Sequence, residues 1–459
     1  MPLFKNIHKY NSKICLIDKH GKNYLYRDII KKSEFLASKI STKKLIFFLA
    51  SNDVESVSAY LGLYKKGVVQ MLIDPNIKKN SLNQLIKNYL PEYLFVPKSY
   101  RINSLNYKLL KTFKLNKIYK VIKNKNYNLY KDLGILLPTS GSTGSKKYVR
   151  ISHSNLEDNT KNITKFLKIT NIDRAITTMP FFYTYGLSII NTHLNNGASI
   201  LVTDQKIVEK KFWENFKKNK ITNFGGVPYF YEILQKLKFN TMKLPYLKYF
   251  TQAGGHLDVD LVNYFYDYSK KNKIKFIIMY GQTEATSRMA YLPFRYIKKK
   301  IGSIGIPIPN GKISIDARNS EIIYKGKNVS LGYAQNYKDL GKGDKNKQIL
   351  KTGDIGIKDK DGFFYIKGRK SRMVKIYGHR VNLDELEVLL KNLGIKCACI
   401  SFEKKIIIFY NQRVVAKIIK IISNYTTLNL NYFKMNYIKK FPINENNKIS
   451  YRNLKYLAC

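Results

Sequence analysis

The sequence predicts an α/β protein: a large N-terminal domain of doubly wound sheets with a small β element, followed by a small α+β domain. Three observations carry that expectation. A chain of 459 residues is too long for one hydrophobic core. Apolar runs alternate with helix-period segments through most of it, the pattern of parallel strands with helices on both faces. After about Lys300 the alternation gives way to short strands between Gly and Asp turns.

The elements follow in order. "KLIFFLAS" (44–51) reads as a buried strand, "VESVSAYLGLYKKG" as a helix ending at Gly67, and "VVQMLID" as the next strand, together a βαβ unit. The rhythm recurs with a strand at "RAITTMP", a helix from Gly186, a strand at "ASILVTD" and a helix from Ile207. It continues through strand "ITNFGGV", helix "YFYEILQKL", strand "KYFTQAG", helix "VDLVNYFYDYSKK" and strand "KFIIMYG". "GKISID", "EIIYKG" and "DGFFYIKGR" form the small β element. The last part, from roughly Lys370, has strands around "MVKIYG" and "CACISF" and helices at "LDELEVLLKNL" and "VVAKIIKIISN".

Composition excludes several classes. A hydrophobic fraction of 44% is that of a globular chain, and no tract is long enough to span a membrane. The N-terminus, "MPLFKNIHKYNSKICLID", lacks the apolar core of a secretory signal. Cys397 and Cys399 stand two apart in a strand-like run, so they share a face without forming a CxxC pair. With Cys15 and Cys459 they read as idle or buried thiols, and the expected compartment is the cytoplasm. Lys+Arg 82 against Asp+Glu 31 gives a net charge of +51. One reading is a polyanionic partner. The preferred one is compositional drift, because Lys, Asn, Ile and Tyr crowd every part of the chain and no basic block stands out.

The stretch "LPTSGSTGSKKY" is the first candidate for chemistry. Small residues let successive backbone N–H groups face one cluster of oxygens, Ser140, Ser142 and Thr143 add hydroxyls, and Lys147 adds a point charge. With a strand expected before it ("LGILL") and a helix after it, the loop sits where α/β sheets bind ligands, and phosphate is the obvious guest. It is not the common nucleotide loop GxxxxGK[ST], since Gly141 is followed five residues later by Lys146.

Four further segments stand in order after it: "YGQTEA" (280–285), "KTGDIG" (351–356), "GRKSRMVKIYGHRV" (368–381) and "NNKIS" (446–450). Together they resemble the adenylate-forming (AMP-binding) superfamily of acyl-CoA synthetases, acyl-acid ligases and adenylation domains. The resemblance covers nearly the whole chain, starting at "GKNYLYRDI". It implies an N-terminal AMP-binding domain over 1–368, with its β-rich part at about 300–368, and a mobile C-terminal domain over 369–459. It also implies the reaction: ATP-dependent activation of a carboxylic acid as acyl-adenylate with release of pyrophosphate, then transfer to a thiol.

Residue by residue, the resemblance implies that Lys448 bridges carboxylate and α-phosphate. Thr283 contacts the α-phosphate, and Glu284 is the Mg²⁺ carboxylate. Thr139, Ser140, Gly141, Ser142, Thr143, Gly144 and Lys147 would grip the β- and γ-phosphates. Tyr280 would stack on adenine beside the backbone of Gly254 and Gly255, Asp354 would take the ribose hydroxyls, and Arg369 would contact ribose or phosphate near the hinge. The implied cofactors are ATP and Mg²⁺, with CoA or a carrier phosphopantetheine as acceptor. The expected partners are a small carboxylic acid and, on the reading that the +51 charge is partly functional, an acidic acyl carrier protein, with no specific nucleic acid. Two alternatives stay open: an amino-acid-activating enzyme of the same fold, and a non-catalytic polyanion-binding protein.

Each residue also has a plainer role. Lys448 is one of many solvated lysines by composition, and Tyr280, one of 36 tyrosines, defaults to core packing. Asp354 and Glu284 belong to a class scarce in this chain. His193 and His256 read as structural or pocket-lining. The chain departs from the family pattern at Lys146, Tyr148, Ser371 and Leu383, of which the first two remove no phosphate donor. "MPFFYTYGLS" (179–188) should line the acyl pocket, and it carries no Asp of the kind that holds an amino acid's amine.

Overall fold

The computed structural model describes residues 3–102, 106–122, 126–138, 147–376, 379–403, 405–412, 415–425, 429–443 and 449–458. The chain divides into two compact units. The first holds Met1–Thr139, Lys147–Ile313 and Tyr324–Leu350; the second is built on Ser314–Ile323 and Lys351–Cys459.

The first unit contains two sheets. In the eight-stranded one, Leu45–Leu49 lies between parallel neighbours Val69–Ile73 and Tyr93–Pro97. All five residues of Leu45–Leu49 are buried, because both faces are covered. Ile46 and Phe48 enter one core with Val57, Leu61 and Phe181, while Leu45, Phe47 and Leu49 enter another with Leu82, Leu85 and Tyr89. A strand buried on both faces reads as a continuous apolar run, which is what "LIFFL" is. The connecting helix Val54–Lys65 is capped by Asp53, whose carboxylate accepts from the Ser56 amide at 2.8 Å. The second sheet of this unit runs Arg174–Ile176, Asn223–Gly226, Tyr249–Gln252 and Lys275–Tyr280 as parallel neighbours, then turns antiparallel at Ala290–Leu292.

One element departs from expectation. The Ser/Gly loop is followed by a strand, Tyr148–Ser152, before the helix His153–Leu167 begins. That strand pairs antiparallel with Leu133–Pro138, with Pro138 opposite Tyr148. The loop therefore joins the arms of a hairpin and does not run directly into a helix. Arg150, in the middle of the strand, disguises it in the sequence. Its guanidinium is buried, yet it donates to the carbonyls of Leu331 (2.8 Å), Gly343 (3.0 Å) and Lys342, so a charged residue fits a buried strand.

The C-terminal part of the second unit is an α+β layer. Strands Cys397–Phe402 and Lys405–Tyr410 pair antiparallel, and Phe433–Tyr437 adds in parallel. Period-two alternation splits the sheet between two cores: Cys397, Cys399, Ile406 and Ile408 pack with Leu386, Leu390 and Ile418, and Ala398, Ile400, Ile407 and Phe409 with Phe441 and Leu454. Cys397 and Cys399 are thus buried on one face as free thiols, as is Cys15 elsewhere. No described helix is long and apolar enough to cross a membrane.

An ion cluster fixes the start of this layer. Arg372 Nε donates to Asp384 at 2.7 Å, its Nη2 pairs with Glu387, and its guanidinium lies 4.1 Å from the Tyr451 ring centre. Glu387 also accepts from the Cys399 amide and the Tyr451 hydroxyl. Burial pushes the Glu387 carboxyl up, opposed by Arg372 and these donors. Arg372→Ala is expected to cost about 2–4 kcal/mol of the second unit's stability, since it strands a largely buried carboxylate. The loss should depend on pH. A carboxyl raised in the folded state binds its proton more tightly folded than unfolded, so that stability is present at low pH and lost as pH rises through the folded value. Urea melts should show a smaller deficit at pH 5 than at pH 8; an equal deficit at both would remove Glu387 as the cause.

Candidate active site

The parallel strands of the first unit end in the residues that the sequence singles out. Gly226, Gln252 and Ile278 are register partners near the carboxyl ends of their strands, and Gly254 and Tyr280 each follow two residues on along the chain. Gly254 has φ +88°, a left-handed conformation that other residues resist. Gly255 follows, its carbonyl accepting from Gln252 Nε2 at 2.9 Å. Tyr280 is 9% exposed and belongs to a small cluster with Ala285, Met289 and Tyr324.

After Tyr280 the chain makes a tight excursion. A Cβ on Gly281 would lie 1.7 Å from the Ser287 carbonyl oxygen, so only glycine permits the return at 287. Between them Thr283–Ala285 forms a 3₁₀ turn with Thr283 buried. Side-chain amides hold the turn from behind: Asn328 Nδ2 donates to the Ala285 and Arg288 carbonyls at 2.9 and 3.0 Å, and Asn155 Nδ2 donates to Lys327 and Val329. Thr286 Oγ1 closes it by donating to the Asn328 carbonyl at 2.7 Å. The turn is preorganised by main-chain fastenings and leaves its side chains for other work.

Glu284 is half-buried, and its Oε1 accepts from the Tyr333 hydroxyl at 2.8 Å. The carboxylate in turn raises the Tyr333 phenol, after burial. Tyr333 lies on the strand Gly332–Ala334, which pairs with the far arm of the Ser/Gly hairpin, Tyr333 opposite Val149. Lys147, the last residue of the loop segment, holds its Nζ 5.9 Å from the Tyr333 ring centre. The structure therefore brings Lys147, Tyr333 and Glu284 to one place. Thr139, Ser140, Gly141, Ser142, Thr143 and Gly144 lie outside the described residues.

In the second unit, Asp354 and Arg369 form a separate pair. They are register partners on adjacent antiparallel strands, and Arg369 Nε lies 2.9 Å from Asp354 Oδ1. The Asp354 side chain is 2% exposed while that of Arg369 is 60% exposed. The turn before Asp354 is fastened by Thr352, whose hydroxyl donates to the Ile322 carbonyl and accepts from the Asp354 amide. Glu321 accepts from the Gly353 amide at 3.0 Å and from Lys370 Nζ at 3.1 Å. Lys448 lies outside the described residues, as do Tyr377 and Gly378.

Sequence reading missed Arg288. It is fully enclosed on the helix side of the strand Lys275–Tyr280, with its guanidinium carbon 3.9 Å from the Tyr185 ring centre. Among 82 lysines and arginines nothing marks it except its place in the small-residue run "ATSRMA". Sequence reading did list His193 as structural or pocket-lining, and it lines the same cavity, where its Nδ1 donates to the Ile189 carbonyl at 2.9 Å.

These strand ends, the glycine-shaped turn and the adjoining hairpin come together in the first unit of an α/β fold. The chain belongs to the AMP-binding enzyme family, whose model matches residues 3–334. It is 27% identical to the oxalate–CoA ligase of Saccharomyces cerevisiae over 278 residues, 56% of this chain and 49% of that protein. A probable 4-coumarate–CoA ligase 2 of Dictyostelium discoideum is 32% identical over 57% of this chain and 50% of its own. The matches thus span about half the length of these curated relatives. The o-succinylbenzoate CoA synthetase of Bacillus subtilis, in complex with its acyl-adenylate intermediate, shares the fold at TM-score 0.79 and 19% identity, covering 99% of this chain and 98% of that one.

Proposed function

We propose that this protein activates a small carboxylic acid with ATP, forming an acyl-adenylate and pyrophosphate, and then passes the acyl group to a thiol. The observation that supports this most is the fastened Thr283–Ala285 turn at the carboxyl ends of parallel strands, with Glu284 and Lys147 meeting at Tyr333. Family membership supports the same reaction.

The chemistry asks for positive charge where two anions meet. A carboxylate attacking an α-phosphate faces repulsion of about 4 kcal/mol per pair of unit charges at 4 Å and an effective dielectric of ~20. Lys448 is assigned to that point, and Thr283 donates to the α-phosphate. The loop 139–147 takes the phosphates that leave. Gly254, Gly255 and Tyr280 receive adenine, and Asp354 and Arg369 take the ribose side. Glu284 fits a Mg²⁺ site: one oxygen is engaged by a neutral hydroxyl, and a single protein carboxylate completed by phosphate oxygens is usual for that ion. When bound, Mg²⁺ would neutralise phosphate charge.

For the acceptor we favour CoA, because the matched relatives bear the names of CoA ligases. A carrier phosphopantetheine is the second candidate; its preference over CoA at low salt, fading as salt rises, would mark a protein partner steered by the +51 charge. Movement of the domain 369–459 would switch adenylation to transfer. On this reading the pivot is Arg369–Arg372, a segment whose two ends both bond to Asp384. We place the enzyme in the cytoplasm, in keeping with the free buried thiols of Cys15, Cys397 and Cys399.

The test is exchange of labelled pyrophosphate into ATP over a panel of carboxylic acids. Acid-dependent exchange is expected. Tight ATP binding with no exchange for any acid would leave only the polyanion-binding alternative.

A further inference from the structure

Two opposite charges meet at Tyr333 without pairing with each other. Glu284 Oε1 accepts from the Tyr333 hydroxyl at 2.8 Å, and the Lys147 ammonium stands 5.9 Å from the centre of the same ring. In a chain with 82 Lys and Arg and 31 Asp and Glu, a cation is the commonplace partner for a carboxylate. Glu284 takes a neutral donor instead. Among the described residues its second oxygen, Oε2, takes no hydrogen bond, so one oxygen is held while the other keeps its lone pairs.

The contact is not a meeting of two loose side chains, because the main chain holds both ends. The Glu284 carbonyl accepts from the Ser330 amide at 2.8 Å, and the Leu331 amide donates to the Arg150 carbonyl at 2.8 Å. Arg150 Nη2 returns a bond to the Leu331 carbonyl at 2.8 Å. Gly332–Ala334 then pairs with Tyr148–Arg150, which sets Tyr333 on the face that Val149 shares. The segment 330–334 thus ties the Glu284 turn to the return arm of the Ser/Gly hairpin.

The end of a glutamate side chain turns easily, since its last torsion is broad. A donor fixed on one oxygen sets the plane of the carboxylate and aims the other. An ammonium in that place would cancel the charge that a metal ion needs; a phenol hydroxyl leaves it intact.

We propose that Tyr333 is a positioning residue for the metal: its hydroxyl holds Glu284 Oε1 so that Oε2 is presented to Mg²⁺ beside the hairpin. This rests on the assignment of Glu284 to Mg²⁺ made above and adds the residue that orients it. Groups that hold a metal ligand from behind govern metal affinity about 10- to 100-fold. Tyr333 is 47% exposed, so removing its hydroxyl leaves no buried group unsatisfied, and Tyr333→Phe should melt at the wild-type temperature.

The test measures ATP binding by calorimetry without any acid, once in EDTA and once in excess Mg²⁺. Tyr333→Phe should match wild type in EDTA and bind about 10- to 100-fold more weakly in Mg²⁺. Glu284→Gln should lose at least as much in Mg²⁺. The double variant should lose no more than Glu284→Gln alone, because the tyrosine acts through the glutamate. Equal weakening of Tyr333→Phe in both conditions, or none in either, would overturn the proposal, as would additive losses in the double variant. Wild-type binding by Glu284→Gln in Mg²⁺ would overturn it together with the metal assignment. Pyrophosphate exchange is read separately, and there KM for ATP with Mg²⁺ should rise in Tyr333→Phe by more than kcat falls. If no acid supports exchange, the activation reading alone fails, and the binding cycle still decides the role of Tyr333.

Discussion

Lys448→Ala is expected to slow adenylate formation a few hundred-fold while ATP affinity stays near that of the wild type. The lysine's charge is needed as negative charge builds between the attacking carboxylate and the α-phosphate, and contributes little to adenine or ribose binding. Removing one such contact costs roughly 3–4 kcal/mol of transition-state stabilisation. The pattern to look for is a fall in kcat with KM for ATP nearly unchanged. Pyrophosphate exchange at the wild-type rate would take Lys448 out of the reaction.

Asp354→Ala should give the opposite pattern. Its carboxylate is buried and already aligned by the Thr352 turn and the Arg369 pair. On this account it accepts from both ribose hydroxyls, contacts made equally in the ground and transition states. Losing them should weaken ATP binding by roughly 1.5–3 kcal/mol, about 10- to 150-fold in Kd, with a smaller effect on the rate at saturating ATP. Arg369 is largely exposed, so it returns to water in the variant and the fold loses little. A variant with normal ATP affinity would show that Asp354 serves only to hold Arg369.

Most of the fold was legible because the strands of the first unit are buried on both faces. "LIFFL" and "VQMLI" are buried from end to end and read as nearly continuous apolar runs. The strand Tyr148–Ser152 was not legible, because a strand is recognised by its apolar pattern and Arg150 breaks it. Three main-chain carbonyls far along the chain make that arginine tolerable, and the sequence gives no sign of them. Of the candidate site, Thr283, Glu284 and Asp354 could be found because they stand in short segments whose glycines and threonines serve the backbone. Tyr333 was invisible: it matters through a strand pairing that sets it opposite Val149 and within reach of Glu284. Arg288 was invisible for a different reason. A buried cation and a solvated one look alike in so basic a chain, and only its enclosure without a carboxylate sets it apart.

The most direct test of the central claim follows oxygen. If the carboxylate attacks the α-phosphate, one of its oxygens becomes the bridge of the adenylate and leaves with AMP when the thiol takes the acyl group. An acid that supports exchange, labelled with oxygen-18 in its carboxylate, should be incubated with the protein, ATP, Mg²⁺ and CoA, and the nucleotide analysed by mass. The account predicts AMP carrying one labelled oxygen from the acid and pyrophosphate carrying none. ADP with labelled inorganic phosphate, or AMP free of label while thioester accumulates, would contradict it.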